Sequence, residues 1–394
     1  MTQQEQYHLA CELSALSVFR GIRNHQPMAA LLAFLSSTSS IREKMELYGQ
    51  FVWSLAEDGF CLADFLCRAV YEDENPYIIG VAGKQPLPPV LEANAKAELA
   101  LLTRLTKLTP EALCGSLDYT GYVPAFENKA VDLEKTYADR LAQIGRYGYG
   151  IFASAGMFRV ENDEIIPVKA ADAISMDSFI GYEAERQRVF ENTRALVEGR
   201  PAANVLLFGD AGTGKSSTVK ACANYFFDQG VRLIELRKDQ LFSLSYVMGR
   251  IAGNPLKFII FIDDLSFNKN DDCFSMLKAA LEGSASAKAG NAVIYATSNR
   301  RHIVKENFSD RAGSDDVHHG DTMQELMSLS DRFGLTVYFM KPNKQLYLEI
   351  VHALAQKKGI SMDQTQLNLK AEAFALTKGS RSPRAAEQFI NSLL

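Results

Sequence analysis

At 394 residues the chain is long enough for two or three domains, each with a buried core of its own. Its composition, 47% hydrophobic and 23% charged, is that of a soluble globular protein and excludes a disordered or fibrous one. A net charge of −5 gives no global attraction for nucleic acid, although local basic patches remain compatible with it. No apolar run approaches the roughly 18 residues of a membrane span, so no membrane partner is expected. The start, MTQQEQYHLACELSALSVFR, lacks the basic opening and apolar stretch of a secretory signal. The six cysteines are scattered, without a C-x-x-C pair, and read as reduced core residues of a cytoplasmic protein.

The first third reads as helical. Ile41, Met45, Tyr48, Val52 and Leu55 recur at spacings of four and three, one face of a helix. Leu91, Ala95, Leu99, Leu102 and Leu105 repeat the pattern and stop before Pro110. Gln85-Pro86-Leu87-Pro88-Pro89 between them is a stiff connector. After the glycine- and tyrosine-rich stretch Tyr147 to Gly150, the segment Met157 to Val168 alternates around Glu161-Asn162-Asp163-Glu164 and predicts a hairpin. Residues 1–172 are therefore expected to form a mainly helical N-terminal accessory domain ending in that hairpin.

From about Ile174 short apolar runs alternate with helical stretches, the pattern of a parallel sheet covered by helices. Strands are expected at Val205–Phe208, Arg232–Leu236, Phe258–Ile262, Val293–Ala296 and Thr336–Met340. The expectation is an α/β core over 173–341 with five parallel strands and helices on both faces. A small helical lid follows over 342–394. In it Tyr347, Ile350, Val351 and Leu354 form an apolar face, and Gly359 ends the helix.

The chemistry gathers at the ends of those strands. GDAGTGKS, Gly209 to Ser216, matches the phosphate-loop pattern at Gly209, Gly214, Lys215 and Ser216 and lies between a strand and a helix, as that chemistry requires. Backbone N–H groups of Gly209, Asp210, Ala211, Gly212, Thr213 and Gly214, with the helix N-terminus at Ser216 and Ser217, would cradle phosphates. Lys215 would reach the outer phosphates and the Ser216 hydroxyl would ligate Mg²⁺. The strand FIIFIDD ends in two carboxylates: Asp263 is placed to hold Mg²⁺ and Asp264 to orient an attacking water. Asn299 ends the next strand, within reach of the γ-phosphate or that water. Arg332 immediately precedes the last strand, where a finger to a neighbouring subunit would sit; pairing with Asp331 is the alternative. Arg384 falls in the first turn of a helix capped by Ser382 and opened by Pro383. A cation there opposes the helix dipole, which suggests a phosphate contact from the lid, with Arg381 next in line. Two further signals are weak. Asn268-Lys269-Asn270-Asp271 resembles a guanine-reading motif but follows the wrong strand. His318 and His319, near Asp315, Asp316 and Asp321, are poorly spaced for one metal and read as part of a long loop.

Taken in order, these residues resemble an AAA+ ATPase. FIGYEAERQRVFENTRALVEGRPAANVLLFGDAGTGKSS, with DDLSF, ATSNRRH and SLSDRFGL, is similar to an uncharacterised, domain-of-unknown-function family of bacterial AAA+ proteins, from about Ile151 onward. The resemblance implies Walker A at Lys215 and Ser216, Walker B at Asp263 and Asp264, sensor 1 at Asn299, an arginine finger at Arg332 and sensor 2 at Arg384. It also implies Tyr182 against the adenine, ATP with Mg²⁺ as ligand, a homo-oligomer, ring or open ring, in which Arg332 acts in trans on a neighbouring subunit, and an unknown protein or nucleic-acid client. Asp264 stands where most AAA+ motors carry glutamate; replication initiators and helicase loaders of the superfamily also have two aspartates there. A remodelling or loading ATPase is the first expectation. A slow, nucleotide-gated scaffold or adaptor is the second, and a DNA-associated loader, hinted at by Arg300-Arg301, the third.

Overall fold

Helix starts in the first third are fixed by their caps. Thr2 with Glu5, and Ser40 with Glu43, form reciprocal capping boxes, while Asn75 and Thr109 cap helices that open on proline. The structure is a computed structural model and describes all residues except 116, 169–173, 266–275, 279, 282–289 and 300–331. Its contacts divide the chain into two compact units, Met1–Ser154 and Ala155–Leu394.

The first unit consists of α1 (Gln3–Ser14), α2 (Gln26–Ser36), α3 (Ile41–Ser54), α4 (Leu62–Glu72), α5 (Pro76–Ala82), α6 (Pro89–Leu105), α7 (Pro110–Cys114), α8 (Leu133–Ala142) and α9 (Ile144–Tyr147). The expected face of α6 is buried at Ala95, Leu99, Leu102 and Leu105; that of α3 is buried at Tyr48 and Val52, whereas Ile41 in its first turn is exposed. One core unites them, with Phe19, Phe34, Phe51, Phe65 and Tyr137 among its largest members. Glu98 is buried in it as a loop clamp. Its carboxylate accepts from the Ser17, Val18 and Phe19 amides and the Ser17 hydroxyl, at 2.6–3.1 Å, which offsets the cost of burying a charge.

The second unit is built on a seven-stranded sheet of β1 (Met157–Glu161), β2 (Glu164–Pro167), β3 (Val205–Gly209), β4 (Val231–Leu236), β5 (Lys257–Ile262), β6 (Ala292–Ser298) and β7 (Leu335–Phe339). The order is β2-β1-β4-β5-β6-β3-β7. The five strands expected from the sequence are all present, within two residues at either end, and all parallel. The hairpin β1–β2 turns on Asn162 and Asp163, both at positive φ (49° and 63°), the pair a two-residue hairpin turn requires. It is not an appendage of the helical unit: Met157, Phe158 and Arg159 pair in parallel with Leu233, Ile234 and Glu235 and extend the core sheet. The pairing gives the β4 edge a hydrogen-bonded neighbour.

Helices α10 (Glu183–Val197) and α11 (Lys215–Tyr225) bury Val189, Phe190, Val219 and Cys222 against the sheet, joined by Phe226 just past the end of α11, and α12 (Leu244–Ile251) follows β4. After β7 come α13 (Lys344–Lys357), α14 (Gln364–Lys378) and α15 (Pro383–Asn391), which share a separate small core of Tyr347, Ile350, Val351, Leu367, Ala371, Phe389 and their neighbours. Gly359, at φ 67°, ends α13 as expected. Among the described residues no helix is long and apolar enough to cross a membrane.

Candidate nucleotide site

The loop after β3 has the shape its glycines allow. Gly209 (φ 136°) lies against β7 so closely that a Cβ would stand 2.1 Å from the Phe339 carbonyl oxygen. Gly212 and Gly214 take φ values of 76° and 92°, and α11 starts at Lys215. Thr213 ties the loop to itself by donating to the Asp210 carbonyl at 2.9 Å. Asp210 and Ala211 are exposed, and Ser216 and Ser217 occupy the first turn of α11 half-buried. The loop thus turns from strand to helix, with the positive end of α11 at its close.

Lys215 is only 6% exposed, yet among the described residues its ammonium donates to neutral oxygens, the Gly209 and Asp210 carbonyls at 2.8 Å and Asn299 Oδ1 at 3.0 Å. Burial lowers its pKa, and the nearby Arg384 adds to that, against the opposing pull of Asp210, Asp263 and Asp264. A buried cation in this state favours an arriving anion.

The carboxylates arrive because β5 and β6 are in register, Ile262 opposite Ala296, so Asp263 and Asp264, just beyond β5, come level with the last residues of β6. Three donors converge on Asp263 Oδ1: Ser216 Oγ at 2.6 Å, Thr297 Oγ1 at 2.5 Å and the Asp264 amide at 3.2 Å. Asp264 has φ 50°, and its Oδ1 accepts from Asn299 Nδ2 at 2.8 Å. Lys215, Asn299 and Asp264 therefore form one connected chain, and Ser216 and Asp263 another beside it. β6 lies between β5 and β3, so Asn299 stands between the two carboxylates and the phosphate loop. A serine hydroxyl and a carboxylate in hydrogen-bond contact are the hard-oxygen set that suits Mg²⁺, which keeps most of its waters.

The lid also reaches the loop. Ser382 caps α15 by accepting from the Ala385 amide, with Pro383 in the first turn. The Arg384 amide donates to the Gly212 carbonyl at 3.3 Å, and a Cβ on Gly212 would come within 3.1 Å of Arg384 Cβ and Ser382 Oγ. Arg381 is committed elsewhere: it is bidentate to Glu372, both bonds at 3.0 Å, and holds that carboxyl below its usual range. Tyr182 caps α10 in a left-handed conformation (φ 60°). It donates from its hydroxyl to the Met340 carbonyl at 2.6 Å and packs its ring 5.4 Å from that of Phe339. Arg332 is half-buried and precedes β7, at the end of the sheet opposite the phosphate loop.

Three features went unread in the sequence: the Thr297 hydroxyl, the contact of α15 with Gly212, and the Arg381–Glu372 pair. Only the first left a signal, since Thr297 is a polar residue two positions before Asn299 and so on the same face of β6. Asn268 to Asp271, Arg300, Arg301, Asp315, Asp316, His318, His319, Asp321 and Asp331 lie outside the described residues.

A phosphate-type loop follows an inner strand of a mostly parallel sheet, paired aspartates end a strand two places away, and a helical subdomain brings Arg384 to the loop, which is the arrangement of a P-loop α/β fold. Residues 153–394 match the family model described as "Protein of unknown function (DUF815)", and the chain belongs to that family. No curated protein matches the chain. Among solved structures it is similar to the Thermotoga maritima RuvB Holliday junction branch migration motor, at 14% identity over 56% of this chain and 72% of that one, with a TM-score of 0.33. A point mutant of the same Thermotoga maritima RuvB gives 13% identity over 56% and 73%, with a TM-score of 0.35.

Proposed function

We propose that this chain binds and hydrolyses Mg·ATP at the site between the phosphate loop and the two aspartates. It would work as a homo-oligomer that remodels or loads a macromolecular partner. The observation that carries the reading is the connected chain Lys215–Asn299–Asp264 beside Ser216–Asp263. It joins a group for the outer phosphates, a polar amide and a carboxylate for the attacking water in one hydrogen-bonded unit.

The work divides among the residues by their chemistry. Loop amides from Asp210 to Gly214 bind and align the phosphates, and Lys215 exchanges carbonyl contacts for phosphate oxygens, where its charge counters the charge that develops on transfer. Ser216 and Asp263 would hold Mg²⁺, which supplies charge neutralisation and orientation of the β- and γ-phosphates. Asp264 accepts a proton contact from the attacking water and orients it, and Asn299 fixes that carboxylate. Arg384 approaches from the lid, and Arg332 serves the site of a neighbouring copy. Purified protein is expected to release phosphate from ATP in the presence of Mg²⁺, and Lys215→Ala to abolish this. Equal turnover by the two proteins would end the reading.

One observation favours a second reading, a nucleotide-gated scaffold that binds ATP and turns it over slowly. The Asp264 carboxylate is short and already engaged by Asn299. Turnover near the roughly 10⁻³ to 10⁻⁴ s⁻¹ of an unassisted switch protein would select this reading. Turnover above about 1 s⁻¹, in the range of ordinary enzymes, would select the motor.

A further inference from the structure

We infer that Thr297 is a positioning residue for hydrolysis: its hydroxyl sets the geometry of both aspartates without reaching the substrate. The inference rests on the hydrolysis reading above and assigns a role to a residue that reading does not use.

Thr297 lies near the end of β6 and is 2% exposed. A hydroxyl has one proton to give and can accept in return. Here it gives the proton to Asp263 Oδ1 at 2.5 Å and accepts the Asp264 amide at 2.9 Å. The Thr297 main chain adds a third hold, its carbonyl accepting from the Leu265 amide at 2.7 Å. One residue therefore grips three consecutive positions, 263 to 265.

The grip matters because of where Asp264 sits in conformational space. Its φ of 50° is a left-handed conformation, one that a residue with a side chain keeps only when its surroundings hold it there. The contacts that hold it are the amide bond to Thr297 Oγ1 and the longer one, 3.2 Å, to Asp263 Oδ1. From that conformation the carboxylate meets Asn299 Nδ2, which comes from the same face of β6 two residues on. Thr297 thus holds the backbone of the water-orienting residue while Asn299 holds its carboxylate. Deleting the hydroxyl frees the first hold, and the carboxylate at the second is no longer aimed by the chain beneath it. Asp263 keeps the Ser216 hydroxyl as a donor, and the phosphate loop loses no contact, so nucleotide capture should survive.

The test uses the full chain with Thr297→Val, nearly isosteric but without a hydroxyl, and Thr297→Ser, which restores it. Thr297→Val should lower kcat by about tenfold or more, the scale of a misaimed catalytic group, while ATP affinity measured without Mg²⁺ stays within about threefold. Thr297→Ser should return kcat to within about threefold of the parent. In an Asp264→Asn background, Thr297→Val should cost nothing further, because the group it aims is already gone. Wild-type kcat in a folded Thr297→Val protein, failure of serine to restore turnover, or full additivity with Asp264→Asn would each overturn the assignment. If the valine variant does not fold, the serine variant decides alone: a large loss of kcat there refutes it. A parent protein no faster than Lys215→Ala would sink the hydrolysis reading and this inference together, whereas an active parent matched by Thr297→Val would sink only this one.

Discussion

At the residue scale the informative position is Asp264. Read along the chain, it is a departure, one methylene shorter than the glutamate of most AAA+ motors. Its φ of 50° supplies a physical reason. Asp and Asn are enriched several-fold in left-handed conformations, because a short polar side chain tolerates them, whereas other L-residues pay about 1–2 kcal/mol there. Asp264→Asn should therefore fold normally and bind ATP, since asparagine keeps the conformation and the Thr297 contact. It should lose turnover by about 10²–10⁴, the range of general acid–base assistance. Thermal melts, equilibrium binding and phosphate release would measure the three effects; unchanged phosphate release would remove Asp264 from the reaction. Asp264→Glu should not speed turnover despite the longer reach, because the added methylene meets a backbone set for a shorter residue. A faster glutamate variant would show that the conformation is not the constraint.

At the element scale, the phosphate loop is a contact between two strands and a lid as well as a cradle. Gly209 packs directly on the β7 backbone, where a Cβ would clash at 2.1 Å from the Phe339 carbonyl oxygen. Gly209→Ala must push two paired strands apart, at a cost of about 1–3 kcal/mol from backbone strain alone. The melting temperature should drop by about 5 °C or more, together with nucleotide affinity. A stable, fully binding alanine variant would contradict the β3–β7 register. Gly212→Ala addresses a different joint. There the Cβ would meet Arg384 Cβ and Ser382 Oγ at 3.1 Å, so the lid should be displaced and ATP affinity weakened more than stability. A melting temperature that falls while affinity holds would argue against lid docking. The sequence made much of this legible because strands and loops leave local marks: five apolar runs located five strands, and the glycine spacing located the phosphate loop. Ser382 and Pro383 likewise marked the start of α15. What it could not disclose is pairing between distant segments. Nothing local in Met157 to Arg159 names β4 as its neighbour, and nothing in Gly212 announces Arg384. Arg381 and Arg384 look alike along the chain, and only Glu372, nine residues before Arg381, assigns the former to structure.

At the scale of the whole molecule, the residues shared with the family, 153–394, coincide almost to the residue with the second compact unit. That unit holds every described residue of the proposed nucleotide site and a second small core under its C-terminal helices, so the part shared with the family is the part to which the proposed chemistry belongs. One proposed participant is missing from the site, and the sheet explains why. β7 alone separates Leu335 from Phe339 by about 13 Å at the usual rise per residue. Phe339 pairs with Gly209, and Arg332 lies beyond the other end of the strand. In the proposed assembly an arginine so placed would act on a second copy, and complementation tests that. Lys215→Ala carries a defective phosphate loop and an intact Arg332; Arg332→Ala carries the reverse. Each variant alone should be nearly inactive, while Arg332→Ala should still bind ATP. Mixed in equal amounts, they should regain a measurable share of wild-type turnover, since some interfaces then join a sound loop to a sound arginine. Light scattering should show the assembly growing with a non-hydrolysable ATP analogue. Two inactive variants that stay inactive when mixed, in assemblies shown to contain both, would mean that Arg332 serves no neighbouring site.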